Sequence, residues 1–184
     1  VSTALTIPVT NVNEAPSLSS DLSATNFTES SAVGTTVITS SASDPESASI
    51  TYSLSGTDAA NFSIASNGTV TIASALDYET KTSYSINVNV SDGTNSVSTA
   101  LTITVTNVNE APSLSSDLSA TNFTESSAVG TTVITSSASD PESASITYSL
   151  SATDAATLSI PRNGTLTLAS PLDYATKTSY LTNV

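Results

Sequence analysis

The acids of this chain recur in short fixed phrases: Phe-Thr-Glu29-Ser, Ser-Asp44-Pro-Glu46, Leu-Asp77-Tyr-Glu79, Val-Ser-Asp92-Gly and Asn107-Val-Asn109-Glu110-Ala-Pro112. They fall between apolar alternating runs, at the ends of strands and in loops, and not along strand faces. Side chains of this kind offer oxygen only, which suits a hard divalent cation of the calcium type. The chain has no Cys and no His. Zinc, copper and haem sites, Ser-His-Asp and Cys-His nucleophilic catalysis and histidine pH switching are thereby excluded, and so are disulfides. With 16 acids against 3 bases the net charge is −13. Phosphate binding needs Lys and Arg, so nucleic acid and anionic membrane surfaces are excluded as partners, and cations are the natural counterions. No run of eighteen apolar residues predicts membrane insertion.

The elements that position these acids are duplicated. Val1-Ser-Thr-Ala-Leu-Thr-Ile7 recurs as Val97 to Ile103, a period of 96 residues, and residues 1–88 and 97–184 differ at twelve positions only. Among those are Pro8/Thr104, Phe62/Leu158 and Glu79/Ala175. A module copied this closely reads as a spacer unit and not as a catalyst. Within one unit, Val, Ile, Thr and Tyr dominate short alternating runs bounded by Gly, Pro, Asn and Asp, which predicts strands and no helix. The runs are 24–29, 35–41, 49–54, 61–64, 69–73, 83–90 and 97–106. Seven strands in fewer than a hundred residues is the count of an immunoglobulin-like sandwich. Asn67-Gly68 between Phe62-Ser-Ile64 and Val70-Thr-Ile72 predicts a hairpin with a type I′ turn. Tyr52, Leu54, Phe62, Ile64, Val70, Ile72, Leu76, Tyr84, Ile86, Val88, Leu101, Ile103 and Val105 take the inward phase and form the expected core.

Taken together, the acidic phrases and the strand pattern resemble cadherin repeats, most of all the cadherin-like repeats of large bacterial surface adhesins of the RTX type. The resemblance covers the whole chain. It implies an all-β fold of two tandem seven-stranded Greek-key sandwiches joined by a short calcium-binding linker, with Ca2+ as the only cofactor. On that reading residues 1–12 are the last strand of a preceding repeat, 13–106 a complete domain, 107–112 the linker, and 113–184 a second domain without its last strand. Carried over by motif, the inter-domain calcium ligands are Glu29, Asp77, Glu79, Asn107, Asn109, Glu110, Asp140 and Glu142. A proximal set comprises Asn11, Asn13, Glu14, Asp44, Glu46 and Asp92. A weak distal set keeps Glu125 and Asp173, with Ala175 where the first copy has Glu79. The linker departs from the family pattern at Asn107, which replaces an acid, and at Ala111, which replaces an amide. Asp21, Asp58, Asp117 and Asp154 match no ligand phrase and are read as ordinary surface acids.

Calcium chemistry fits these residues independently of the resemblance: six carboxylates and two Asn side chains flank one linker, and calcium takes six to eight oxygens. Without a cation, like charges about 4 Å apart repel by roughly 1 kcal/mol in water and about 4 kcal/mol at an effective dielectric of 20. The joint is expected to be loose without metal and stiff with it. The expected function is a calcium-dependent structural extender of a cell-surface or secreted bacterial adhesin, extracellular, with neighbouring repeats as partners. Direct cell–cell or carbohydrate adhesion is the alternative, but nine aromatics mostly at core positions leave few platforms for sugar. Enzymatic use of paired carboxylates is disfavoured by the absence of a general-base His and of long cleft-forming loops. Because residues 1–10 repeat the last strand of the first copy, they are also expected to exchange head-to-tail into the second domain of another molecule.

Overall fold

The computed structural model describes residues 2–18, 22, 25–114, 118 and 122–184, and the chain divides into two compact units, unit 1, Val1–Val108, and unit 2, Asn109–Val184. Asp21 and Asp117, read above as surface acids, lie outside the described residues, as does Ala24 at the start of the expected first strand.

Unit 1 is a β-sandwich. One sheet has β2 (Thr25–Thr28), β9 (Ser96–Thr106), β8 (Ser83–Ser91) and β5 (Thr51–Ser55) in the order β2-β9-β8-β5. The facing sheet has β3 (Thr36–Thr39), β7 (Thr69–Ile72) and β6 (Phe62–Ile64) in the order β3-β7-β6, and a small ribbon pairs β1 (Ser17–Leu18) with β4 (Ala42–Ser43). The seven expected strands are thus present within a residue or two of their expected ends. The two-residue strands β1 and β4 were not expected, since Ser-rich segments carry no alternation.

The period of two governs the packing. In β8, Tyr84, Ile86, Val88 and Val90 are buried while the intervening Ser and Asn are not, and in β9 Leu101, Ile103 and Val105 are buried in the same phase. β8 and β9 pair antiparallel over nine positions, from Ser83 opposite Thr104 to Ser91 opposite Ser96. β2 runs parallel to β9, with Phe27 beside Val105. The core adds Val37, Phe62, Val70, Ile72 and Leu76, and Phe62 meets Tyr84 edge to face at 5.7 Å. Burying each of the three inward side chains of β9 contributes about 1.5–3 kcal/mol, which makes this strand the closing element of unit 1. Of the expected core, Tyr52, Leu54 and Ile64 are half-buried, and Val37 and Val90 join it.

The β6–β7 hairpin forms, but its turn is not type I′. That turn requires positive φ at both central residues, and only Gly68 has it, at 81°. The Gly68 N–H donates to the Ala65 carbonyl, so a type I turn is followed by one left-handed residue. The reason is tertiary: the Ser40 N–H donates to the Gly68 carbonyl, and a Cβ on Gly68 would overlap the Ser40 carbonyl oxygen.

Unit 2 repeats part of this plan. β10 (Ser113–Leu114) pairs with β12 (Ala138–Ser139), and β11 (Thr132–Thr135), β14 (Thr165–Leu168) and β13 (Leu158–Ser159) form a sheet in the order β11-β14-β13. Among its described residues there is no counterpart of β2, β5, β8 or β9, and only an isolated bridge joins Ser151 to Asn183. The sixth strand expected to end at Val184 is therefore not formed. Two substitutions contribute. Where unit 1 has outward Ser85 and inward Ile86, unit 2 has Leu181, 64% exposed, and Thr182, which reverses the phase that would seat the strand. Residues 2–16, read as a last strand over their first part, likewise form no strand.

Candidate metal centre

The acids of unit 1 gather at two places. At the first, β2 ends in Glu29, which is buried at 8% exposure. Its Oε2 accepts the Tyr78 N–H at 2.8 Å and its Oε1 accepts the Val108 N–H at 2.6 Å, while the Glu29 N–H donates to the Thr106 carbonyl at 3.2 Å. One carboxylate thus ties the end of β9 to the loop that carries Asp77 and Glu79. Asp77 caps its own turn, accepting the Thr80 N–H at 2.8 Å and the Thr80 hydroxyl at 2.9 Å, and these bonds hold its carboxyl below the usual carboxylate range. Asn107 Nδ2 donates to Glu79 Oε1 at 3.3 Å. Glu29, Asp77, Glu79 and Asn107 are therefore brought to one end of unit 1, where Asp77 and Glu79 are exposed and Glu29 is buried.

The second gathering joins residues 11–14 to the β4–β5 and β8–β9 loops. Asn13 Nδ2 donates to Asp92 Oδ2 at 2.8 Å, and Asp92 Oδ1 accepts the Thr94 and Asn95 N–H groups at 2.6 Å each. Those backbone bonds, the Asn95 bond foremost, hold the Asp92 carboxyl down. The Glu14 N–H donates to Glu46 Oε2 at 3.2 Å, and Asn11 also bonds the Glu46 carboxylate. Side-chain hydrogen bonding and charge from Glu46 push the Glu14 carboxyl up, while the same hydrogen bond from Glu14 pulls Glu46 down. Asp44 Oδ1 accepts the Glu46 and Ala48 N–H groups at 2.9 and 3.0 Å. All six residues of the expected proximal set are thus in one place.

Unit 2 repeats the second arrangement one period on. The Glu110 N–H donates to Glu142 Oε1 at 3.2 Å, Asn109 Nδ2 donates to the Glu110 carbonyl at 3.0 Å, and Asp140 Oδ1 accepts the Ala144 N–H at 3.0 Å. The remaining pair is looser: Glu125 is exposed and accepts the Tyr174 N–H at 3.1 Å, and Asp173 caps Ala175 and Thr176.

A calcium ion fits these residues on the donor chemistry and on one structural observation. Asp44 Oδ2 and Glu142 Oε2 are buried oxygens without a hydrogen-bond partner. A buried anionic oxygen without compensation is costly, and a hard cation is the compensation that an all-oxygen cluster invites. Bound there, calcium would be held by carboxylate and Asn oxygens and would neutralise the crowded pair Glu14 and Glu46.

Sequence reading missed Asn95, whose Nδ2 donates to the Asn13 carbonyl at 3.3 Å; the Asp92-Gly-Thr-Asn95 turn was the available signal. Asp58 and Asp154 are not surface acids but buried structural ones. Each pairs with a lysine, Lys81 or Lys177, and accepts a backbone N–H, from Ser85 or Leu181, at 2.7 Å. The lysine ammonium is the main cause holding both carboxyls below their ordinary range.

A β-sandwich with polar oxygens collected at the ends of its strands belongs to the immunoglobulin-like class. Residues 23–106 match the model of the Cadherin domain. The chain is similar to human Protocadherin Fat 4, 33% identical over 188 residues that make up 95% of this chain and 4% of that protein. Among solved structures it is similar to human Protocadherin-24 EC1-2, with 27% identity and a TM-score of 0.58 over 86% of this chain and 81% of that one. Drosophila N-cadherin EC1-4 matches at 29% identity and a TM-score of 0.57, over 87% and 42% of the two chains.

Proposed function

We propose that this chain is a calcium-stiffened extender in the extracellular part of a larger adhesin, acting as a spacer and not as an enzyme. The observation that carries the reading is the assembly of Asn11, Asn13, Glu14, Asp44, Glu46 and Asp92, in which the Asp44 Oδ2 atom is buried without a hydrogen-bond partner. Glu29, Asp77, Glu79 and Asn107 precede or open the linker in sequence, and Asn109, Glu110, Asp140 and Glu142 follow. On this proposal the two groups supply oxygens to shared calcium ions, so that metal sets the stiffness of the joint as well as the stability of the units. The bacterial surface adhesin as the parent rests only on the resemblance carried by the acidic phrases and strand pattern; the matched proteins named above are human and Drosophila cadherins.

Melting temperature and hydrodynamic radius, measured in calcium and in chelator, test the proposal. Calcium raises the melting temperature and changes the radius. If both quantities are the same in the two buffers, the acids are not ligands and the spacer has no stiffening agent.

A further inference from the structure

Asn67-Gly68 and its repeat Asn163-Gly164 stand at the tips of the β6–β7 and β13–β14 hairpins, with both Asn residues exposed and both glycines buried. This dipeptide carries a reaction of its own. The glycine nitrogen can attack the Asn Cγ, because glycine has no side chain to screen it. A C–N bond forms, the side-chain nitrogen leaves as ammonia, and water then opens the cyclic imide to Asp or to isoaspartate. Water is the only co-reactant.

The turn decides whether the reaction runs. The Thr69 N–H donates to Asn67 Oδ1 at 3.1 Å and the Thr165 N–H to Asn163 Oδ1 at 3.1 Å, which polarises each amide toward attack. The attacking nitrogens, however, are withheld. The Gly68 N–H donates to the Ala65 carbonyl at 2.9 Å, and the Gly164 N–H to the Pro161 carbonyl at 3.0 Å. A type I turn holds its third residue with ψ of about 0°, whereas ring closure needs the next peptide rotated until its nitrogen faces Cγ. That rotation is also opposed from the far side: the Gly68 carbonyl accepts the Ser40 N–H at 2.9 Å, and the Gly164 carbonyl accepts the Ser136 N–H at 2.8 Å. We propose that the two Asn-Gly pairs are self-modification sites, one in each repeat, closed in the folded turn and reactive whenever the hairpin tip releases its glycine. Each event adds one negative charge to a chain at −13. Isoaspartate also lengthens the main chain between residues 67 and 68, so the bond to Ala65 cannot re-form in register and a transient opening becomes permanent.

The two tips are not equally closed. In unit 1 the Ala65 N–H donates to the Thr69 carbonyl at 2.9 Å. Unit 2 has Pro161 at that position, which has no N–H to give. β13 stops at Ser159, one position short of the counterpart of Ile64, where β6 ends. Asn163 is therefore the faster site in the folded chain.

The chain incubated in native buffer and in concentrated urea at one pH, with each site followed by peptide mapping that separates Asn, Asp and isoaspartate, tests the proposal. In urea both sites deamidate at closely similar rates, and in native buffer both are more than about tenfold slower. In native buffer Asn163 runs roughly two- to tenfold ahead of Asn67, the population effect of one hydrogen bond. Ala65→Pro places in unit 1 the residue with which unit 2 forms the same turn; it speeds Asn67 by that factor and leaves Asn163 unchanged, while Pro161→Ala slows Asn163. Circular dichroism confirms that each variant is folded. Equal rates in native buffer and urea at either site, no deamidation in urea, or an Asn67 rate indifferent to Ala65→Pro overturns the proposal.

Discussion

Substituting Glu29 by Ala removes a side chain that accepts from two separate segments of backbone, the Tyr78 N–H at 2.8 Å and the Val108 N–H at 2.6 Å. Hydrogen bonds to a charged acceptor contribute about 1.5–3 kcal/mol each, and the site is buried, so the two donors are not fully rehydrated. The loss is therefore about 3–5 kcal/mol in unit 1, or roughly a 2 M fall in urea midpoint at a slope of about 1–3 kcal/mol/M. The measurement belongs in chelator, where no metal ligation contributes. Glu29→Gln keeps one acceptor oxygen but turns an amide donor toward the other N–H, and falls between parent and Ala. Glu125 is the internal control: it is exposed and holds one bond at 3.1 Å, so Glu125→Ala costs no more than about 1 kcal/mol. A Glu29→Ala midpoint within experimental error of the parent in chelator would refute the backbone-tie reasoning, and the carboxylate would then be a ligand alone.

Gly68→Ala forces a left-handed φ of 81° on a side chain whose Cβ meets the Ser40 carbonyl oxygen, at a cost of about 2–4 kcal/mol in thermal or urea unfolding. Gly34→Ala, at φ 91° but with nothing within 4 Å, costs only the backbone part, about 1–2 kcal/mol. Asp58 titrates below its ordinary value because of Lys81, so its stabilisation is complete above the unfolded value of about 3.9 and is lost as pH falls through the folded value. Unfolding followed from pH 7 downward shows this loss, and Asp58→Asn flattens that part of the profile. Glu46→Gln lowers the number or affinity of bound calcium ions in titration calorimetry, while the melting temperature in chelator holds or rises because the repulsion with Glu14 is relieved.

The legibility of the fold tracks how local its causes are. The inward phases of β7, β8 and β9 could be read from Val70 and Ile72, from Tyr84, Ile86 and Val88, and from Leu101, Ile103 and Val105, because alternation is written in the residues themselves. The acidic phrases announced where oxygens would collect. What the residues did not show depends on distant neighbours. Asn67-Gly68 marked a hairpin, yet its turn type is set by Ser40. Glu29 could be identified as a candidate ligand but not as a backbone tie, since both its donors are N–H groups that any residue carries. Residues 179–184 match β8 at Asn183 and Val184 and at Ser179 and Tyr180, yet form no strand, because Leu181 and Thr182 reverse the phase and no β9 lies beside them.

The acids of unit 1 are prepared for a cation in two opposite ways, and the difference is itself measurable. Asp77 and Asp92 are each satisfied by backbone donors, which hold their carboxyls below the ordinary range and leave further oxygen lone pairs for a metal. Glu14 and Glu46 are instead set against one another, and the Glu14 carboxyl is held above its ordinary range. The raised Glu14 value contributes stability that is lost as pH climbs through it, the reverse of the Asp58 profile. Glu46, pulled down by the same hydrogen bond, contributes in the opposite sense, so the pair is read at Glu14 itself and not in the net unfolding profile. A divalent cation bound to the pair removes the cause. On the proposed function, an NMR titration in chelator finds the Glu14 carboxyl above its ordinary range, calcium and Glu46→Gln each bring it back down, and a Glu14 carboxyl that stays raised in calcium would place the ion elsewhere.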